Sequence, residues 1–286
     1  MYQTDPPRPP KEYLPTMYDL PSEDPEEPGL PDEFHDLQPQ LLRETFCPPS
    51  YPPDQIFVAT DLNLYYDVHH PQWYKRPDWF AVLGVSRLYE QRDLRLSYVI
   101  WQEGIAPSVV VELLSPGTEK EDLGQTLREV NQPPTKWEVY ERILRIPYYI
   151  VFDRYTNRLR IFQNIAGRYQ ELDLTESPIV LPELELSLGL WQGSYEGIER
   201  LWLRWYSVAG DWIATPAELA EQESQQKQLA QQQIEQERQR AEMERQRAEQ
   251  ERQRAEQEHQ RAEQERQRAE QLAARLRALG IDPDLP

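Results

Sequence analysis

The sequence contains little cysteine and no long hydrophobic run. Cys47 is the single cysteine among 286 residues, which excludes a secreted fold held by disulfides and favours a reducing compartment. No apolar run approaches the roughly 18 residues that span a bilayer, and the polar, proline-rich residues 1–10 lack the apolar segment of a secretory signal. We therefore expect a cytoplasmic protein that makes no membrane contact.

Basic residues are also scarce. Lys and Arg number 31 against 50 Asp and Glu, which gives a net charge of −19. This excludes a protein that coats nucleic acid by bulk electrostatics, because phosphate binding needs Lys and Arg. An enzyme that holds a metal ion between carboxylates and has a local basic patch remains compatible with this charge. No glycine-rich phosphate loop and no Gly-x-Ser-x-Gly nucleophile elbow is found, and His69-His70 has no third zinc ligand nearby in sequence.

Composition divides the chain into three zones. Residues 1–53 are acidic and rich in proline, which predicts a mostly irregular segment with one short helix near 37–46. Residues 54–215 hold nearly all the β-branched and aromatic residues and form the predicted folded core. Residues 216–286 are dominated by Glu, Arg, Gln and Ala, which are good helix formers.

The core zone alternates between strand patterns and one clear helix pattern, which predicts an α/β fold. The strongest strand is the continuous apolar run at 108–114, which contains Glu112 and is typical of a central strand buried on both faces. With the helix at 136–144 and the strand at 148–153 it predicts a crossover unit. We predict further strands at 56–59 with 62–68 (one bent strand or a hairpin), 78–83, 97–101, and 158–162 with 168–172 as a hairpin around Gly167; Trp191, Trp202, Trp205 and Trp212 are predicted core anchors.

The C-terminal zone predicts a long helix from 216 to 279, about 95 Å at 1.5 Å per residue. A phrase of seven residues, Glu-Arg-Gln-Arg-Ala-Glu-Gln, repeats between 237 and 271. Each repeat offers one alanine, whereas a coiled coil needs two apolar positions, and Glu–Arg pairs at i+3 and i+4 support a solvated single helix. A weak coiled coil stays an alternative, because Ala269, Leu272, Leu276 and Leu279 form a short apolar seam.

Three residues are candidates for metal-dependent phosphodiester hydrolysis, which needs oxygen ligands for Mg²⁺ at a sheet edge and a group that orients water. Glu112 lies inside an apolar strand, where a carboxylate is costly unless it is paired or bound to a metal. Asp78 begins a strand, and Lys136 begins a helix. The residues alone leave alternatives open: Glu112 could face outward or pair with a basic residue, Asp78 could cap a turn, and Lys136 could point into water.

The motif from Val109 to Thr118, followed by Asp122, Lys136 with Tyr140, and the run from Ile146 to Asp153, resembles the Uma-type family. This family of proposed endonucleases belongs to the PD-(D/E)XK superfamily and is common in cyanobacteria. The resemblance covers roughly residues 54–200, in which Pro77-Asp78 is similar to the "PD" element and Glu112 to the "(D/E)" element. It implies a restriction-endonuclease-like mixed sheet flanked by helices.

The resemblance also implies a function. It implies a hydrolase that cuts DNA with Mg²⁺, or alternatively Mn²⁺, held by Asp78 and Glu112, with Lys136 as a catalytic residue. Asp61 and Asp122 are secondary candidates for the metal, and Tyr140 is expected to pack. Arg154, Arg158 and Arg160 are candidates for phosphate contacts.

Three positions depart from the family pattern. Leu114 stands where the superfamily has its lysine, so the resemblance implies that Lys136 takes over this role from the neighbouring helix. Ser108 replaces an aspartate before the central strand, and Pro133-Pro134 interrupts the stretch between Asp122 and Lys136. An alternative function is therefore a catalytically inactive nuclease fold that acts as an interaction module, with a homodimer or protein partner bound through residues 216–286.

Overall fold

The computed structural model describes residues 32–115, 119–126, 132–175 and 177–278. The chain divides into two compact units between Pro216 and Ala217. Outside the described residues lie residues 1–31 of the segment predicted to be irregular, residues 116–118 of the family motif, and the apolar seam residue Leu279.

A six-stranded mixed sheet forms the centre of the first unit. Its strand order is β1 (Ile56–Thr60), β4 (Trp79–Leu83), β6 (Val109–Leu113), β7 (Tyr148–Asp153), β8 (Arg158–Ile165) and β9 (Arg168–Glu171). β6 and β7 are parallel, and every other neighbouring pair is antiparallel. The parallel pair confirms the predicted crossover unit, and all five residues of β6 are buried, as a strand covered on both faces requires.

One face of this sheet packs on α1 (Glu33–Thr45) and on a second sheet of β10 (Ile179–Leu181), β11 (Leu186–Tyr195) and β12 (Ile198–Tyr206). Val109, Val111 and Leu113 point to this face because side chains alternate along a strand. The buried Trp202 and Trp205 confirm two of the predicted core anchors, whereas Trp212 is 43% exposed. The β10–β12 sheet itself was not predicted from the sequence.

The opposite face is the one towards which Val110 and therefore Glu112 point. It carries a small sheet of β2 (Leu64–Tyr65), β3 (Tyr74–Lys75) and β5 (Tyr98–Val99), followed by α2 (Ile100–Glu103). It also carries α3 (Glu119–Asp122), α4 (Lys136–Glu138) and a π-helical turn (Val139–Ile143). Tyr140 and Tyr149 are buried on this side.

Four secondary-structure predictions need correction. The strand predicted at 97–101 is wrong in its second half, because β5 ends at Val99 and Ile100–Glu103 form α2. The bent strand or hairpin predicted at 56–59 with 62–68 is wrong. The backbone of Asp61 adopts a positive φ of 50°, and the chain then leaves the main sheet to form β2, which belongs to another sheet. The predicted helix at 136–144 is helical, but its second half is π-helical, with the N–H of Leu144 donating to the carbonyl of Val139 at 2.8 Å. The helix predicted near 37–46 begins earlier, at Glu33, because the side chain of Asp32 caps it.

The described part of the second unit lies in α5 (Pro216–Ala278), which spans 63 residues and contains no buried residue. Pairs such as Glu263 with Arg266 at 3.2 Å link successive turns, which supports a solvated helix. Leu272 of the predicted apolar seam is 63% exposed. Within the described ranges, no helix has both the length and the apolar character needed to cross a membrane.

Candidate active site

Asp78 and Glu112 are brought together by the pairing of β4 with β6. Trp79 is opposite Val111 in the antiparallel register, and one step further along the ladder places Asp78 opposite Glu112. The backbone N–H of Asp78 donates to Oε2 of Glu112 at 3.4 Å. The N–H of Leu113, the residue after Glu112, donates to Oδ2 of Asp78 at 2.6 Å. The two carboxylates therefore belong to one site.

Lys136 completes this site from a helix. Its Nζ lies 3.1 Å from Oε2 of Glu112 and 2.8 Å from Oδ1 of Asp122, and its side chain is 18% exposed. Thr135 caps the helix through a reciprocal pair of hydrogen bonds with Glu138. Pro133-Pro134 therefore precedes the helix that carries Lys136 and does not interrupt it.

Asp122 and Tyr140 belong to the same cluster of side chains, which the sequence only partly suggested. Asp122 is 1% exposed, and its main-chain carbonyl accepts a hydrogen bond from the Tyr149 hydroxyl at 2.8 Å. The hydroxyl of Tyr140 donates to Oε1 of Glu112 at 3.0 Å. Tyr140 packs as expected and also holds the carboxylate, from a π-helical turn of the kind often found at functional sites.

The site contains more acidic groups than basic ones. Burial raises the pKa of Glu112 well above its usual value and raises that of Asp78, although the charge of Lys136 opposes both shifts. Burial also opposes the charged form of Lys136, but the carboxylates of Asp122, Glu112 and Asp78 raise its pKa well above the usual range. Lys136 is therefore an ammonium ion, and the carboxylates favour a further positive charge beside it.

A second polar cluster, formed by Asp32, His35 and Arg154, lies against the end of β6. Nδ1 of His35 is 2.8 Å from Oδ1 of Asp32, and its Nε2 is 3.2 Å from both the carbonyl oxygen of Leu113 and Oγ of Ser115. Nη2 of Arg154 is 2.5 Å from Oδ2 of Asp32. Sequence reasoning missed His35; its only local signal is the spacing Asp32-x-x-His35 at a helix start.

The charge state of His35 follows from its neighbours. Burial lowers its pKa, but the hydrogen bond to Asp32 and the charges of Asp78 and Asp32 outweigh burial and raise it above the usual value. Burial raises the pKa of Asp32, yet the bonds from His35 and the charge of Arg154 hold it well below its usual range. Because Leu113 also donates its N–H to Asp78, His35 connects α1 to the carboxylate pair through the backbone of one residue, Leu113.

Several sequence candidates lie elsewhere. Asp61 is exposed and its nearest cation is Arg76, with 3.8 Å between Oδ1 and Nε, so it does not join the carboxylate pair. His70 bonds to Asp67 and stacks on Trp73 with 3.8 Å between ring centroids. Arg160 pairs with Glu171 at 2.7 Å. Arg158 is exposed on β8.

The residues at the site fit a divalent cation with few protein ligands. Among the described residues, no group of three or more His, Cys, Asp and Glu side chains is arranged as a metal cage. Mg²⁺ commonly takes one or two carboxylates and completes its shell with water and phosphate oxygens. Asp78 and Glu112 supply hard oxygen ligands. Among the described residues both oxygens of Glu112 accept hydrogen bonds, whereas Asp78 accepts one at Oδ2.

Comparison with known families agrees with this geometry. The profile of the Uma2 family, described as "Putative restriction endonuclease", matches residues 12–203, more than half of the chain. The chain belongs to the Uma2 family. Restriction-endonuclease-like families generally use divalent metals, and the matched range includes every member of the Asp78–Glu112–Lys136 site.

The similarity of the chain to a solved nuclease-like structure is low. A solved structure of a "putative nuclease belonging to DUF820 from Anabaena variabilis ATCC 29413" shares 12% sequence identity with the chain. The likeness covers 55% of this chain and 76% of that one, with a TM-score of 0.34. No curated protein matches the chain.

Proposed function

We propose that this Uma2 protein is a metal-dependent endonuclease that hydrolyses phosphodiester bonds of DNA. The observation that carries the proposal is the distance of 3.1 Å between Nζ of Lys136 and Oε2 of Glu112. The lysine that the superfamily carries two residues after the acidic residue is replaced by Leu114 in this chain. Lys136 brings an ammonium group to the same carboxylate from the following helix, so the three functional groups of the motif are present together.

Asp78 and Glu112 would hold Mg²⁺ or Mn²⁺, and the bound cation supplies positive charge to the scissile phosphate. Lys136 offers three N–H donors, two of which are directed at Glu112 and Asp122. The third is available to a phosphate oxygen or to the attacking water. Because its pKa is raised, Lys136 keeps its proton at neutral pH and acts by stabilising negative charge and orienting the water.

Neighbouring groups hold these side chains in place. Asp122 fixes Nζ of Lys136 from the side opposite Glu112, and Tyr140 fixes the second oxygen of Glu112. Both are positioning residues in this proposal, because each acts through another side chain.

Local basic residues would contact the DNA backbone in an otherwise acidic protein. The parallel pairing of Leu113 with Phe152 places Arg154, which follows β7, close to the chain that leaves β6. Arg200 lies beside Arg154, and Nη2 of Arg200 donates to the carbonyl oxygen of Arg154 at 3.4 Å. Arg154 also pairs with Asp32, so this position offers a guanidinium that is already oriented for a phosphate.

The test is a cleavage assay on supercoiled plasmid and on single-stranded oligonucleotides with Mg²⁺, with Mn²⁺ and with EDTA. The proposal predicts cleavage with a divalent ion and its loss in Glu112→Gln and Lys136→Met. Matched controls are Glu141→Gln, another buried carboxylate, and Lys75→Met, whose Nζ pairs with Glu121 at 3.2 Å. Both controls should cut as the wild type does. Cleavage that survives EDTA, or that Glu112→Gln retains, would contradict the proposal.

A second candidate is a nuclease fold without activity that binds a partner or a second copy of the chain through its C-terminal helix. Leu114 and Ser108 depart from the family pattern, and α5 is a helix of 63 residues without a buried side chain. This candidate predicts no cleavage with any divalent ion. It also predicts that the chain sediments as a complex only when residues 217–286 are present.

A further inference from the structure

β1 forms one edge of the six-stranded sheet. It pairs with β4 on one side. Among the described residues, no backbone group of Ile56–Thr60 bonds to a partner beyond β4. An open strand edge presents unpaired N–H and C=O groups that can hydrogen-bond to an added strand.

A groove runs along this edge. Its cavity volume is about 710 Å³, and every residue of β1 lines it together with Phe46, Tyr51 and Leu94. Leu94 is 70% exposed, so part of the wall is an apolar side chain in contact with solvent. We call this cavity the β1 groove. Its main-chain edge and apolar wall are the two features that peptide recognition by strand addition uses.

The charge of the β1 groove differs from that of the whole chain. Arg43, Arg87 and Arg95 line it, and no Asp or Glu of the described residues does, although the chain carries a net charge of −19. Nε of Arg95 is paired with Glu103 at 2.7 Å. Within the part of the chain that the structure describes, neither Arg43 nor Arg87 forms an ion pair with a carboxylate. The groove therefore holds two cations that a bound anion would neutralise.

These two guanidinium groups also influence each other. Burial lowers the pKa of Arg43, and the charge of Arg87 lowers it further. Two like charges held close together disfavour the empty groove and favour an occupant that brings carboxylates.

We propose that the β1 groove binds an extended acidic segment of a partner protein, which adds to β1 as a further strand and directs its carboxylates at Arg43 and Arg87. A second copy of the chain fits less well, because pairing two β1 edges would bring the arginines of both copies together. The proposal is independent of the nuclease activity, since Glu112 lies in β6 and β4 separates β6 from β1.

The test measures peptide binding to the full chain by fluorescence anisotropy. The probe is a fluorescein-labelled peptide of alternating glutamate and valine. One control peptide replaces each glutamate with lysine, and another carries N-methyl groups on alternate residues, which removes strand hydrogen bonds and keeps the side chains. The protein variants are the double substitution Arg43→Glu with Arg87→Glu and, as a matched control, Arg92→Glu, an exposed arginine that does not line the groove.

The proposal predicts saturable binding of the acidic peptide to the wild type and to Arg92→Glu, and binding weakened about tenfold or more in the double variant. The lysine peptide should bind the double variant better than the wild type, and a urea denaturation midpoint of the double variant equal to that of Arg92→Glu excludes an unfolded variant. Equal binding of both peptides, equal binding of the N-methylated peptide, or the absence of saturable binding would overturn the proposal. Dimerisation of the chain that the acidic peptide reverses would identify a second copy as the occupant and would also overturn it.

Discussion

Lys136 and Glu112 are 24 residues apart in sequence, and 3.1 Å separates Nζ of the first from Oε2 of the second. Glu112 stands in the central strand, and Lys136 stands at the first turn of a helix that packs over that strand. The segment that connects the parallel strands β6 and β7 carries Lys136. It brings Lys136 to Glu112 because it crosses the face of the sheet towards which Glu112 points. The proposed catalytic trio of Asp78, Glu112 and Lys136 is therefore brought together by the fold and not by adjacent positions in sequence.

Two replacements of Lys136 should distinguish the effect of its positive charge on the cleavage rate from the effect of its side-chain geometry. Lys136→Met removes the ammonium and should lower kcat by about 10²–10³, the usual effect of losing one group that stabilises transition-state charge. Lys136→Arg keeps the charge but needs more space between Glu112 and Asp122, so it should recover only part of the rate. Single-turnover cleavage with Mg²⁺ measures both effects. Full activity in Lys136→Met would remove this residue from the mechanism.

Asp122→Asn should shift the pH dependence of the rate. The carboxylate of Asp122 is one of the groups that raise the pKa of Lys136, so its removal should lower that pKa. The alkaline limb of the profile of kcat against pH, where Lys136 loses its proton, should move to lower pH. An unchanged alkaline limb together with a uniformly lower rate would mean that Asp122 has only a structural role.

Tyr140→Phe should destabilise the folded chain. The variant removes the hydroxyl that donates to Oε1 of Glu112, and leaving a buried acceptor without its donor costs about 1–3 kcal/mol. Urea denaturation measures the change in the free energy of unfolding. Tyr148→Phe is the matched control, because Tyr148 is equally buried and its hydroxyl makes only a long contact of 3.4 Å with Gln163. Equal losses in both variants would contradict the assigned bond.

His35→Gln should weaken the fold in a manner that depends on pH. The pKa of His35 is raised in the folded chain, so its contribution is fully present below the unfolded pKa of about 6.5 and is lost as pH rises through the folded value. The difference in stability between wild type and variant should be largest near pH 5–6, about 1 kcal/mol from the hydrogen bond to Asp32, and should shrink at alkaline pH. A difference that grows with pH would show that the imidazolium does not stabilise α1 against β6.

Sequence patterns predicted the features that depend on neighbouring residues. The apolar run around Glu112 predicted a buried central strand, and Gly167 predicted the turn between β8 and β9, where it adopts a φ of 81°. The exposed surface of α5 followed from one alanine per heptad. These signals are local because strand burial, turn geometry and helix amphipathicity are each encoded within a few residues.

Features that depend on distant contacts could not be predicted in the same way. Lys136 at a helix start ordinarily points into water, and only the packing of its helix over β6 turns it towards Glu112 and Asp122. His35 meets Leu113 across 78 positions. β2 pairs with β5 in parallel and so belongs to another sheet than β1, whereas the sequence predicted one bent strand or a hairpin. In each case the deciding partner lies in another part of the chain.

We propose above that Asp78 and Glu112 bind a divalent cation beside Lys136. Calorimetric titration of Mg²⁺ and Mn²⁺ into the wild type, Glu112→Gln and Glu141→Gln tests it most directly. We expect one binding event in the wild type and in Glu141→Gln, and its loss in Glu112→Gln, because Glu112 lies beside Asp78. Absence of binding in all three proteins, or binding that Glu112→Gln retains unchanged, would show that Asp78 and Glu112 do not form a cation site.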